Sequence, residues 1–138
     1  TALGAWQTIN YKSQPDWDQA AMALTGGQGV DHILELGGPD TYHRSIAAIA
    51  PGGQIAQIGV LSGFGSQPNV TPLQFKNANI NGICVGSVEH YERLTAFVAE
   101  HEIVPIVDKV FAFEEVPLAY VHLRTAGHFG KIAISFEH

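Results

Sequence analysis

A doubly wound α/β fold built on a parallel sheet is the fold class that the sequence predicts, on three observations. Strand-like runs alternate with helical stretches at the spacing of βαβ units, about 10–15 residues, rather than of hairpins. One run, "DHILELGG", ends in Gly37 and Gly38 directly before a helix start, as a parallel strand does where it delivers its carboxyl end to a ligand crevice. The 138 residues, 46% hydrophobic and 14% charged, suit one domain with a core of its own.

The elements follow in order. "WQTINY", Trp6 to Tyr11, is a short strand candidate. "SQPDWDQAAMALTGG" reads as a helix with Ser13 as cap and Pro15 in the first turn; Trp17, Ala20, Ala21 and Leu24 share one face, and Gly26 and Gly27 end it. "DHILEL" is the next strand. Asp40 or Thr41 caps a helix whose apolar side is Tyr42, Ile46, Ile49 and Ala50, until Pro51, Gly52 and Gly53 turn the chain into the strand "QIAQIGV". "TPLQFKNA" is a short helix with Pro72 at its first position, and "NINGICVG" is a strand. Ser87 caps a helix that carries Tyr91, Leu94, Thr95 and Val98 inward. "VDKVFAF" is a strand, Val116, Ala119, Tyr120 and Leu123 mark the inner face of a helix from Pro117, and "GKIAISF" is the last strand.

Composition excludes some functions. Seven basic against thirteen acidic side chains give a formal charge of −6, the wrong sign for a surface that neutralises nucleic-acid phosphates. Cys84 is the single cysteine, so neither an internal disulfide nor a thiolate-rich zinc cluster is available. No apolar run approaches the roughly 18 residues of a membrane span, and no leader opens the chain, so the reading is a soluble, cytoplasmic protein. The phosphate-binding G-x-G-x-x-G is missing: Gly27 with Gly29 and Gly63 with Gly65 are the only G-x-G pairs, and His32 and Pro68 stand where each would need its third glycine. The opening "TALGAWQTINY" looks like the last turn of a helix begun earlier.

"ALGAWQTINY", "GGQGVDHILELGG", "IAPGGQIAQIGVLSG", "NINGICVGS" and "GHFGKIAI", in this order, resemble the second half of the medium-chain dehydrogenase/reductase family, the zinc-type alcohol dehydrogenases and their quinone-reductase-like relatives. The resemblance implies an incomplete Rossmann-like sheet lacking its first two strands. Residues 1–138 would be a partial dinucleotide-binding domain, with about 127–138 as the segment returning to a catalytic domain outside this sequence. It implies an NAD- or NADP-dependent oxidoreductase that moves hydride between the nicotinamide and an alcohol or carbonyl substrate. Leu36, Gly37 and Gly38 match positions beside the adenosine ribose, and Gly59, Val60 and Leu61 the loop near the nicotinamide ribose. Ile83 and Val85 match the strand that holds the carboxamide. Lys131 matches a basic position reaching the pyrophosphate, where its charge compensates the phosphates.

The chain's own residues offer no catalytic apparatus. The family's zinc ligands match positions upstream, and none of the seven histidines has ligand spacing, so any zinc of the parent is not bound here. His90 and His101 belong on a solvent face, and His122 and His128 in packing or surface roles. Glu35, inside an apolar strand, is expected to be partly buried as a satisfied structural carboxylate. Ser62 lies in no nucleophile elbow. This chain alone is therefore expected to catalyse nothing.

In a sheet ordered 3-2-1-4-5-6, losing two strands leaves a gap of roughly 10 Å beside "DHILEL" and no neighbour for "WQTINY". Bared strand edges invite pairing. The strand matching "NINGICVG" pairs with its symmetry mate in many relatives, so a homodimer is expected. Two rival readings stand: a methyltransferase, on the Pro-Gly-Gly turn of "IAPGGQIAQIG", and a non-catalytic oligomerisation or nucleotide-binding module. The choice between NAD and NADP rests on a residue after the second strand, outside this sequence.

Overall fold

The computed structural model describes residues 3–136; Thr1 and Ala2 of the opening stretch, and Glu137 and His138 of the expected return segment, lie outside them. The chain divides into two units, Thr1–Val85 and Gly86–His138. The first contains α1 (Trp17–Leu24), β1 (Val30–Glu35), α2 (Pro39–Ala48), β2 (Ile49–Gln57), α3 (Thr71–Lys76) and β3 (Asn79–Gly82). Its sheet runs β1-β2-β3, and both pairings are parallel because a helix returns the chain across the sheet each time. Ile46 of α2, Ile49 and Ile55 of β2 and Leu73 of α3 form the core, with Ile33, Ala78 and Ile80 packed against it. Each such branched side chain contributes about 1.5–3 kcal/mol on burial.

The expected apolar side Tyr42, Ile46, Ile49 and Ala50 is buried throughout, but Ile49 and Ala50 belong to β2. Pro51 to Gly53 lie within that strand rather than before it, at an irregularity of the ladder: Val30 pairs with Ile49, His32 pairs with Gln54, and the residues between are looped out.

The opening segment departs from expectation. Residues 6–11 form no strand, since no described strand lies beside them to take their backbone groups. Asn10 instead closes a turn: its carbonyl accepts from the amides of Ser13 at 3.1 Å and Gln14 at 2.8 Å. The Ser13 hydroxyl donates to the same oxygen at 3.2 Å, so it is spent in the turn, and α1 starts later with Asp16 at its N-cap. Arg44 of α2 then ties the two helices, with Asp18 at 2.5 Å and Asp16 at 3.0 Å, and the Asp18 bond chiefly raises the guanidinium pKa. Lys76 closes the other end of α2. Its ammonium donates to the carbonyls of Ile46 at 3.3 Å, Ala47 at 2.8 Å and Ile49 at 2.7 Å, the acceptors a helix C-terminus leaves without partners.

The second unit holds α4 (Val88–Glu100), β4 (Val107–Ala112), a short 3₁₀ turn (Phe113–Glu115), α5 (Val116–Arg124) and β5 (Lys131–Ser135), with β4 and β5 parallel. Ser87 caps α4 as expected, its hydroxyl accepting from the His90 amide at 3.2 Å. Phe111 and Ala119 are the buried apolar residues. Tyr91 and Leu94 are exposed, not inward: an amphipathic pattern specifies a face that needs a cover, and no element of this unit supplies one. Tyr120 and Leu123 are likewise exposed on α5. No helix among the described residues is long and apolar enough to cross a membrane.

Candidate functional site

Because β1, β2 and β3 are adjacent and parallel, their carboxyl ends lie along one edge of the sheet. Leu36 to Gly38 leave β1, Ile58 to Leu61 leave β2, and Ile83 to Val85 leave β3. Eight of the nine sequence-predicted positions are therefore brought to one edge, where open α/β sheets bind ligands. Lys131 lies in the second unit, exposed at the start of β5. Ile83 and Val85 fall beyond the strand they were expected to occupy, which ends at Gly82. The Ile83 amide still donates to the Gln57 carbonyl at 2.9 Å. Val85 is 93% exposed with a φ of 47°, a left-handed conformation that a β-branched side chain rarely takes.

The first two turns are stitched together. Ile58 and Gly59 amides donate to the Glu35 carbonyl, at 2.9 and 3.1 Å, the Leu61 amide donates to Leu36 at 3.2 Å, and the Ser62 amide donates to Gly37 at 2.8 Å. The Ser62 hydroxyl also donates to the Gly37 carbonyl at 2.8 Å and accepts from the Asp40 amide at 3.3 Å. This close approach sets the glycines. A Cβ on Gly59 would stand 2.5 Å from the Leu36 carbonyl oxygen. Gly38 has a φ of 91°, and a Cβ there would meet the Val60 backbone at 3.1 Å. A Cβ on Gly37 would collide with the Thr41 side chain. The protein's own atoms thus account for the missing side chains.

Glu35 organises the turn from beneath. Only 3% exposed, its Oε1 accepts from the amides of Gly37 at 2.8 Å and Gly38 at 3.1 Å and from the Thr41 hydroxyl at 2.5 Å; its Oε2 accepts from the Ser45 hydroxyl. The expected buried carboxylate is present, more completely satisfied than its apolar strand implied. Sequence reasoning missed Ser45 and Ser62. Thr41 and Ser45, four apart on α2, were the available signal, since that spacing puts two hydroxyls on one helix face. Tyr42, next along, is buried, and its hydroxyl has no hydrogen-bond partner in good geometry, although the Gln57 side chain lies close enough to temper its titration. Burial and then the Glu35 charge push its pKa above the ordinary value.

A crevice of about 660 Å³ lies beside the turn, walled by Trp17, Leu34, Leu36 and Leu61, with Gly37, Asp40 and Ser62 at its lip. It is largely apolar with a few polar groups, as small-molecule sites are.

In the second unit, Asp108 accepts from His122 Nε2 at 3.0 Å and from the Phe129 amide at 3.1 Å; the histidine first, then the amide, holds its carboxyl below the ordinary value. His128 is half-buried, its Nδ1 enclosed without a partner, while His90 and His101 are exposed. Among the described residues no three His, Cys, Asp or Glu side chains converge as a metal would need. The described residues do not fit a zinc site.

A parallel sheet with helical crossovers, its strand ends gathered around an apolar crevice, defines part of a Rossmann-like domain. Residues 3–134 match the family model described as zinc-binding dehydrogenase. The chain belongs to that family, within the medium-chain dehydrogenases/reductases. It is 40% identical, over 98% of its length, to a zinc-type alcohol dehydrogenase-like protein of Schizosaccharomyces pombe, and covers 40% of that protein. A Sinorhizobium meliloti structure described as a candidate alcohol dehydrogenase superposes with a TM-score of 0.88 at 42% identity, over 98% of this chain and 39% of the other. The structure of an NAD-dependent alcohol dehydrogenase gives 0.84 at 30% identity, over 99% and 39%. The chain thus spans about 40% of the length of these relatives.

Proposed function

We propose that this chain is the back portion of the nicotinamide-dinucleotide-binding domain of an NAD(P)-dependent oxidoreductase acting on alcohol or carbonyl substrates. One observation carries the reading: three adjacent parallel strands end together, and each end carries one of the expected contact segments, Leu36 to Gly38, Gly59 to Leu61, and Ile83 with Val85. Likeness to an NAD-dependent alcohol dehydrogenase supports it. The chain's part is to bind and orient. The three strand ends offer backbone to the ligand, Leu36 and Leu61 line the crevice, and Lys131 compensates phosphate charge. When bound, the dinucleotide supplies the hydride chemistry. The missing G-x-G-x-x-G and a length about 40% of the relatives' support a reading in which the 138 residues alone do not turn over substrate. The parent is cytoplasmic and homodimeric.

Titrating the full-length gene product with NADH and NADPH by fluorescence, then following dinucleotide absorbance with a panel of alcohols, aldehydes and quinones, tests the reading. Binding and turnover by the full-length protein, with none by residues 1–138, are expected. A folded full-length protein that binds neither dinucleotide refutes it.

A further inference from the structure

The most heavily bonded buried group in the first unit has no part in the function just proposed. Glu35 lies under the Leu36 to Gly38 turn, and its four donors all come from the turn or from α2. Their effect appears when the amides at the start of α2 are accounted for. A helix N-terminus ordinarily presents several free N–H groups, which makes it a ready anion site. Here Gly37 and Gly38 donate to Glu35, and Pro39 has no N–H. Asp40 donates to the Ser62 hydroxyl, and Thr41 and Tyr42 donate to the Gly38 carbonyl at 2.9 and 3.0 Å. No donor in this run is left to face the crevice. Asp40 adds a carboxylate to the crevice lining, and none of the lining side chains is cationic.

We propose that Glu35 is a positioning residue: by drawing the Gly37 and Gly38 amides inward it fixes the turn, and by spending those donors it keeps phosphate off this wall of the crevice. The proposal rests on the dinucleotide reading above; a ribose beside this turn is what the family resemblance already implies, and the role of Glu35 is what is added. Thr41 and Ser45 hold the carboxylate from α2, so the helix and the turn keep one relative position. The wall is set before a ligand arrives, which avoids an ordering cost at binding.

The test uses the full-length protein and measures three things: the dissociation constant for NADH, the melting temperature, and the amide resonances of Gly37 and Gly38 in glycine-labelled, ligand-free protein. Thr41→Val removes one donor at constant shape, Thr41→Ser returns the hydroxyl, and Glu35→Gln removes the charge. Lys76→Met, which frees the carbonyls at the far end of α2 and lines no part of the crevice, controls for lost stability. Expected are a weakening of NADH binding by about tenfold in Thr41→Val and Glu35→Gln, displaced Gly37 and Gly38 resonances, and recovery of both in Thr41→Ser. Lys76→Met lowers the melting temperature without either change. Inorganic phosphate titrated into wild-type protein leaves the two resonances in place. Should Glu35→Gln prove insoluble, the Thr41 pair decides. Unchanged binding in Thr41→Val, equal weakening in Lys76→Met, or a phosphate-induced shift at Gly37 or Gly38 overturns the proposal while leaving the dinucleotide reading intact. A wild-type protein that binds neither dinucleotide overturns both.

Discussion

Gly59→Ala is the sharpest test of how the crevice is built. The added Cβ would lie 2.5 Å from the Leu36 carbonyl oxygen, 3.0 Å from its Cα and 3.1 Å from its carbonyl carbon. All three are main-chain atoms, so no side-chain rotation relieves the clash. Ordinary contact begins near 3.4 Å, so the two turns must part by about 0.9 Å. That displacement strains the bonds from Leu61 to Leu36 at 3.2 Å and from Ser62 to Gly37 at 2.8 Å. Overpacking of this kind costs about 1–3 kcal/mol. Gly82→Ala supplies the control, because a Cβ there meets nothing within 4 Å and the residue has no positive φ. Chemical denaturation and NADH titration of the two full-length variants give the comparison. Gly59→Ala should lose stability by that amount and weaken binding at least tenfold, with Gly82→Ala near wild type in stability. If Gly59→Ala matches Gly82→Ala in both, the close approach of the two turns is not what requires glycine.

Three further outcomes follow from the polar side chains that carry hydrogen bonds or titrate. Lys76→Met keeps the aliphatic stem but strips three carbonyls of their donor, and should cost about 2 kcal/mol in denaturant titrations; the cost is limited because burial already lowers the Lys76 pKa and disfavours its charge. Tyr42→Phe removes a buried hydroxyl without a partner, so stability at neutral pH should hold or rise by about 1 kcal/mol. Since the folded Tyr42 pKa is raised, its contribution is complete below pH 10.0, the unfolded value, and is lost as pH rises through the folded one; the variant should lack this alkaline loss in melting curves. Asp108 behaves oppositely. Its depressed pKa stabilises above the unfolded value of 3.8, and that stability is lost as pH falls through the folded pKa, so His122→Asn should move the Asp108 carboxyl titration, followed by NMR, upward.

Much of the fold was legible in the sequence because parallel strands and crossover helices leave local signals. Ser87, three residues before His90, gave the α4 cap, and the stripe from Tyr42 to Ala50 gave a buried face even though its last two residues belong to β2. What sequence could not supply was the neighbour. Trp6 to Tyr11 has strand-like residues, yet a strand exists only where another accepts its backbone groups, and none of the described strands does. Tyr91 and Leu94 form a helix stripe, yet a stripe does not name its cover.

The site shows the same division between local and non-local information. Gly37, Gly38 and Gly59 stand out in the sequence as positions where side chains are forbidden, but the structure attributes the prohibition to Thr41, Val60 and Leu36, atoms of the protein itself. Glycine therefore marks where two turns meet, and a ligand has to be argued from other features. Those features are topological: Leu36, Gly59 and Ile83 are separated by more than twenty residues from one to the next, and only the order β1-β2-β3 sets them side by side. Glu35 carries the complementary lesson. An acid in an apolar strand predicts partners, but its partners Thr41 and Ser45 become visible only when α2 folds back over β1, since a helix face and a strand end have no shared periodicity from which their contact follows.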